Sequence, residues 1–179
     1  MTKLPSALVS TEWLAENVVI TNTGNAAYDF GDQTEKLNIV GNSGSDTITG
    51  GAGTMLAIGG VGADSITAGA GSATLIGDST LLIDRSRGFA STAVLTVFGA
   101  DRLTGGAATE VMVGDNLATD AFDVRAIRPT TLTSTGAGGV DIIAANNTGS
   151  VIIGGGGADT ITGLGARVVL GDTGTVTLT

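Results

Sequence analysis

The chain has 179 residues, of which 42% are hydrophobic and 14% are charged, and this balance excludes a disordered acidic tail. Seventeen acidic against eight basic side chains give a net charge of −9, which disfavours nucleic acid as a partner and favours cations. The absence of cysteine and histidine excludes disulfides, thiolate metal sites and Ser–His or Cys–His catalytic pairs.

Residues 1–25 are predicted to form an N-terminal cap. Ser10 and Thr11 are both able to N-cap a short helix through TEWLAEN, residues 11–17. Trp13 is the large side chain available to cover the first coil of a repetitive core. Residues 26–179 are predicted to form the body of the fold.

One phrase recurs along the body of the chain every fifteen to eighteen residues. The copies are DTITGGAGTMLAIGG (46–60), DSITAGAGSATLIGD (64–78), DRLTGGAATEVMVGD (101–115), DIIAANNTGSVIIGG (141–155) and DTITGLGARVVLGD (159–172). Apolar residues within the copies fall nine apart, namely Ile48, Ala57, Ile66 and Leu75; Leu103 and Met112; Ile143, Ile152, Ile161 and Leu170. A period of nine with glycine-rich breaks predicts an all-β, right-handed parallel β-roll or β-solenoid of about 18-residue coils.

Two inserts interrupt the repeats. Residues 79–94 and 116–135 each follow a Gly-Asp pair and contain short alternating runs, so each is predicted to leave the coil as a hairpin or flap. The C-terminal GDTGTVTLT begins as the inserts begin and then stops, which suggests an end where another copy can continue.

Four aspartates are the candidate metal ligands. Asp46 and Asp64 lie 18 residues apart, as do Asp141 and Asp159, so each pair is expected to stack in adjacent coils about 4.8 Å apart. Stacked carboxylates repel unless they are neutralised, and no Lys or Arg occurs in the adjoining turns. Carboxylates with the free carbonyl oxygens of glycine-rich turns suit a hard cation such as Ca²⁺. The alternative is that each Asp caps its own turn by bonding a backbone N–H.

The turns GNSGSDTIT (41–49), GGVGADSIT (59–67) and GGGGADTIT (154–162) resemble the nonapeptide of RTX calcium-binding β-rolls. This resemblance implies calcium as the bound ion, with turn glycines beside the aspartates in the site: Gly41, Gly59, Gly62, Gly154 and Gly157. Asp101 is expected to be a weaker candidate for binding calcium. Its preceding turn has one glycine, and no neighbouring coil is in register with it. Asp78, Asp115 and Asp172, just after a second strand, are expected to cap turns or inserts.

The opposite edge of the solenoid is predicted to hold no calcium. Its equivalent positions are Met55, Ala73, Glu110, Ser150 and Arg167, where typical RTX-like rolls carry Asp. The two outward faces also differ. One is mostly hydroxylic, for example Thr47 and Thr49, and the other is apolar, for example Ile58, Val113 and Ile153. That apolar face must be covered, either by the chain's own cap or inserts or by another copy.

The favoured function is a non-enzymatic, extracellular, structural or adhesive repeat protein that is stabilised by Ca²⁺ and self-assembles into a fibre or surface layer. Cell-surface polysaccharide is a further possible partner. The alternatives are an ice-binding face of stacked Thr-x-Thr pairs and a carbohydrate-active β-helix. No run of about 18 apolar residues is present, so membrane insertion is not expected. The start of the chain lacks a Lys/Arg-led apolar leader, so secretion without a classical cleaved signal peptide is expected.

Overall fold

The nine-residue period produces two parallel sheets that face each other across one core. The computed structural model describes residues 2–3, 16–19, 24–41, 43–78, 80–84, 89–93, 98–115, 117–123, 128–134, 136–163 and 165–177. These residues form nineteen strands and no helix. The first sheet contains, in spatial order, β1 (Thr2–Lys3), β3 (Ala27–Asp29), β5 (Thr47–Thr49), β7 (Ser65–Thr67), β11 (Arg102–Thr104), β15 (Ile142–Ala145) and β17 (Thr160–Gly163).

Each strand of the second sheet follows a strand of the first sheet by half a coil, and the spatial order of the coils is the same in both sheets. The second sheet contains β2 (Glu16–Val19), β4 (Leu37–Val40), β6 (Met55–Ile58), β8 (Ala73–Asp78), β12 (Glu110–Asp115), β16 (Val151–Ile153) and β18 (Val168–Leu170). Strands of the two sheets alternate along the chain, so each coil contributes one strand to each sheet. The predicted parallel β-roll is therefore confirmed.

The core between the sheets is a stack of identical positions. Ile48 pairs with Ile66, Ile66 with Leu103 and Leu103 with Ile143, and all four side chains are fully buried. Burying one such side chain contributes roughly 1.5–3 kcal/mol, so the stack is a main source of stability. In the last coil the register places Val169 beside Ile152. Leu170, the last member of the nine-residue series, instead packs against the outer cluster of the second sheet, because the final repeat is one residue shorter.

Both inserts form antiparallel hairpins, as predicted. Within the first, β9 (Thr80–Asp84) pairs with β10 (Phe89–Ala93). Within the second, β13 (Leu117–Asp123) pairs with β14 (Arg128–Ser134), and β14 also pairs with the C-terminal β19 (Gly174–Thr177). The C-terminal segment thus completes a three-stranded sheet with the second insert.

The three-stranded sheet packs on the apolar outer face of the second sheet. Leu132 of β14 and Val176 of β19 belong to one buried cluster with Ile58, Val113 and Ile153, the last three fully buried. The chain's own insert therefore covers this face, which is one of the coverings expected. The outer face of the first sheet carries mostly hydroxyl side chains, and its middle rows are interrupted by the exposed Arg102 and Ile142.

The predicted cap helix over residues 11–17 is not seen. Residues 11–15, including Trp13, lie outside the described residues. Glu16 and Asn17 belong to β2, which pairs with β4 in parallel. A run of polar and β-branched residues ending in Val18 and Val19 continues the second sheet here, because pairing with β4 satisfies its backbone groups.

Candidate metal centre

Five aspartates form a ladder along one edge of the solenoid, where the chain passes from the second sheet to the first. Each immediately precedes a strand of the first sheet. In spatial order the members of this Asp ladder are Asp46, Asp64, Asp101, Asp141 and Asp159. The Oδ1 atom of each carboxylate accepts a hydrogen bond from a backbone N–H one coil earlier. The distances are 2.8 Å from Ala26, 2.7 Å from Asp46, 2.7 Å from Asp64, 2.8 Å from Asp101 and 3.0 Å from Asp141.

Asp101 stands in full register between Asp64 and Asp141. Its strand β11 pairs with β7 on one side and β15 on the other. The expectation that Asp101 lacks a neighbouring coil was wrong, because the inserts leave the coil and return without changing the register. The four predicted aspartates are consequently joined into one continuous row rather than two separate pairs.

Each ladder carboxylate has one oxygen that accepts no hydrogen bond. The Oδ2 atoms of all five are buried and have no partner among the described residues. Asp46, Asp64, Asp101 and Asp141 are at most 2% exposed. The capping alternative accounts for Oδ1 only, and there the donor belongs to the neighbouring coil rather than to the residue's own turn. A buried charged oxygen without a partner is costly, so a proton or a bound cation at these oxygens would stabilise the fold.

Glycines enclose the free oxygens. A Cβ atom on Gly59, Gly77, Gly114 or Gly154 would overlap Oδ2 of the aspartate in the same turn, respectively Asp64, Asp101, Asp141 and Asp159. The predicted site glycines Gly41, Gly62 and Gly157 lie in the same stack of turns. There a Cβ would overlap a carbonyl oxygen of the adjacent coil. Gly62 and Gly157 also have φ angles of 130° and 110°, which residues with a side chain rarely adopt. Backbone carbonyls and carboxylates are therefore brought close together along this edge.

Burial raises the pKa of every ladder carboxyl above its ordinary value. The pKa rises to about 9 for Asp101 and to about 7 for Asp64 and Asp141. Desolvation is the largest cause in each case, and repulsion from neighbouring aspartates adds to it. Within the described part of the chain, no Lys or Arg offsets these effects. The edge must hold either protons or metal ions at neutral pH.

The donor set fits calcium. Ca²⁺ takes six to eight oxygen ligands from carboxylates, backbone carbonyls and water. Among the described residues, no three acidic side chains are arranged to hold an ion by themselves. A site here would therefore combine the Oδ2 atoms of the ladder with turn carbonyls, which is the combination the glycine stack provides.

Three segments of the chain match a known repeat family. Residues 38–54, 56–79 and 135–166 match the RTX calcium-binding nonapeptide repeat in four copies. These segments are RTX repeats. RTX nonapeptide repeats bind calcium ions, which agrees with the unpartnered carboxylate oxygens on the edge. Neither a curated protein nor a solved structure shows significant similarity to the chain.

On the opposite edge of the solenoid, both carboxylate oxygens of Glu110 accept hydrogen bonds from within the chain. Glu110 is fully buried there, and its Oε2 accepts a 2.8 Å hydrogen bond from the hydroxyl of Ser150. Its Oε1 accepts a 3.0 Å hydrogen bond from the backbone N–H of Gly106. Glu110 also donates its own N–H to Ser150 Oγ at 3.2 Å, so this serine takes the place that aspartate holds in the Asp ladder.

Two further aspartates, Asp78 and Asp115, lie at the same edge as the Asp ladder and were expected to cap turns or inserts. Asp78 Oδ2 accepts a 2.5 Å hydrogen bond from the N–H of Gly99, and both oxygens of Asp115 accept from the N–H of Gly139 at 3.0–3.1 Å. The capping prediction is confirmed for these two. The sequence signal that marks them is the Gly-Asp pair in front of each insert.

Proposed function

We propose that this chain is a calcium-stabilised, non-catalytic structural segment of an extracellular protein, with the ions bound along the Asp ladder. The observation that carries the proposal is the row of five buried carboxylates, each with one unpartnered oxygen. RTX repeat proteins are typically secreted or surface-associated, which supports the location. In the described part of the chain, no helix is both long and apolar enough to cross a bilayer.

In this proposal the ladder aspartates and the turn glycines have separate roles. The Oδ2 atoms of Asp46, Asp64, Asp141 and Asp159 bind calcium, and Asp101 joins them. The glycines let the turns stack closely enough for their carbonyl oxygens to complete each coordination shell. Because the ligands come from adjacent coils, the ion binds only when the coils are stacked. Its binding free energy therefore adds to the stability of the fold.

A calcium-dependent melt tests this role. The melting temperature should rise as Ca²⁺ is added to chelated protein, and Asp64→Asn should reduce that rise. Asp29→Asn is the matched control, because it removes the same charge at the far end of a first-sheet strand and keeps the cap that Asp29 Oδ1 provides to Gly31 N–H at 2.9 Å. An unchanged melting temperature in chelator and in millimolar Ca²⁺ would exclude the proposed role of calcium.

The same segment is proposed to self-associate through the ends of the solenoid. Its apolar outer face is covered by the three-stranded sheet, so that route is not part of the proposal. Val169 in the end strand β18 is 50% exposed although its register position points to the core, and Ile161 in the end strand β17 is only partly buried. A second copy stacked on this end would bury both side chains and add further strands to both sheets. Contacts between unlike ends of this kind extend into filaments.

The assembly is tested by light scattering and negative-stain microscopy at micromolar protein with Ca²⁺. Val169→Glu should reduce association. Val140→Glu should not, since Val140 is 57% exposed but lies on the Asp edge rather than at the end. A monodisperse species of 17.5 kDa for the unmodified chain would contradict the assembly proposal and leave the calcium proposal intact.

A further inference from the structure

The two turns that carry the inserts are RTX turns split into two pieces. An intact turn such as GGVGAD (59–64) runs without interruption into its strand. The first insert separates Gly77-Asp78 from Phe98-Gly99-Ala100-Asp101, and the two pieces joined read GD-FGAD. The second insert separates Gly114-Asp115 from residues 138–141, and the joined pieces read GD-GGVD. Each insert therefore enters between the second and third positions of the nonapeptide.

The pieces come together in space as intact turns do. The glycines at the fourth position of the turn stack in one column. A Cβ on Gly99 would overlap the carbonyl of Gly62, and one on Gly139 would overlap the carbonyl of Gly99. The second positions also correspond, because Asp115 pairs in register with Asp78 and Gly60 donates its N–H to the carbonyl of Gly77. Residues 98–101 lie outside the segments that match the RTX family, so the structure, and not the family match, identifies them as half of a split turn.

Aspartate replaces glycine at the second position of the split turns. Gly60 and Gly155 occupy this position in intact turns, with φ angles of 109° and 111°. Asp78 and Asp115 are both fully buried. Their hydrogen bonds to Gly99 and Gly139 cross the break and hold the two pieces together. Capping alone does not require a charge, since an asparagine oxygen accepts the same bond.

The carboxylate of Asp78 also reaches into the site. Its Oδ1 is buried and has no partner among the described residues. The neighbouring Oδ2 of Asp101 faces Gly77, the residue directly before Asp78, and is also unpartnered. The carboxyl of Asp115 lies close to those of Asp78 and Asp141. Two ionised carboxylates repel each other and cannot share a hydrogen bond, so a proton or a cation between them would relieve the repulsion.

We propose that each split turn is a calcium site, in which Asp78 or Asp115 is an additional carboxylate ligand beside the ladder aspartate. This inference rests on the proposed binding of calcium along the Asp ladder. Calcium bound at these positions bridges the outgoing and returning chains of each insert. Because β14 of the second insert covers the outer face of the second sheet, calcium at the Asp edge and the packing of that face are then coupled.

The test is a calcium titration by isothermal calorimetry of the full chain and of the double variant Asp78→Asn, Asp115→Asn. Asparagine keeps the caps to Gly99 and Gly139, so the variant should fold, and in chelator it should melt no lower than the unmodified chain. We expect it to lose the split-turn ions, or to bind them at least tenfold more weakly, while the ions of the intact turns remain. Asp29→Asn should leave the number of ions and their affinity unchanged.

The outcomes separate the two proposals. If the unmodified chain binds calcium and the double variant binds the same number of ions with the same affinity, the split-turn sites are refuted and Asp78 and Asp115 are caps only. If the unmodified chain binds no calcium, the proposed function itself fails. A second readout is the backbone N–H of Gly99. Its hydrogen exchange should slow on adding Ca²⁺ in the unmodified chain, and by a smaller factor in the double variant.

Discussion

Without calcium, the folded state of this protein should become less stable as the pH rises from acidic to neutral. Most proteins respond in the opposite way, because carboxylates that are paired in the folded state lose their partners when acid protonates them. The pKa of Asp101 is raised to about 9 by burial, and those of Asp64, Asp78, Asp115 and Asp141 to about 7, against an ordinary value of 3.8. A group whose pKa is higher in the folded state binds protons on folding. Its contribution is fully present below pH 3.8 and is lost as the pH rises through the folded-state pKa. Calcium-free protein should therefore be less stable at pH 7 than at pH 5.

The size of the effect follows from Asp101. Each pH unit between the two pKa values changes the free energy of unfolding by about 1.4 kcal/mol, so two units give at most roughly 3 kcal/mol for this residue. For a domain of this size that corresponds to a fall in melting temperature of about 6–12 °C. The other carboxyls act in the same direction, but they are coupled to one another and do not add in full.

Thermal melts in calcium-free buffer at pH 5, 6 and 7 measure this slope. Asp101→Asn should flatten it, because the amide does not titrate. With saturating Ca²⁺ the ladder carboxylates are ionised, so the stabilisation that calcium provides should grow with pH. Calcium-free protein that is equally stable or more stable at pH 7 than at pH 5 would refute the assignment of buried, uncompensated carboxyls to this edge.

Four substitutions test the packing. Ile66→Ala opens the centre of the core stack and should lower the free energy of unfolding by about 2–5 kcal/mol in urea titrations. Gly157→Ala places a methyl group on a carbonyl of the preceding coil at a φ of 110° and should cost more than about 2 kcal/mol. Gly171→Ala, with no atom within 4 Å of the added carbon, should change the same titration by less than about 0.5 kcal/mol. Ser150→Ala should cost about 1–3 kcal/mol by removing a donor from the buried Glu110, and a cost near zero would contradict that bond.

The period of nine determined the coil, its inward residues and the Asp edge from the sequence alone. A solenoid repeats one local geometry, so Ile48 and Ile66 can be aligned by counting, and Asp46 and Asp64 with them. The same counting identified the Glu110 and Ser150 positions of the opposite edge. In the last coil the count of nine reaches Leu170 while the inward position is Val169, because a shorter repeat shifts the phase by one residue.

Only the tertiary structure decided what the inserts interrupt and what they cover. Asp101 is 37 residues from Asp64 and 40 from Asp141, and no local period spans those distances. Its place in the ladder depends on each insert returning to the point at which it left. The covering of Ile153 by Leu132 and Val176 likewise joins segments distant in sequence. Local spacing determines a repeating coil, whereas long-range pairing depends on which apolar surfaces and backbone groups can be buried together.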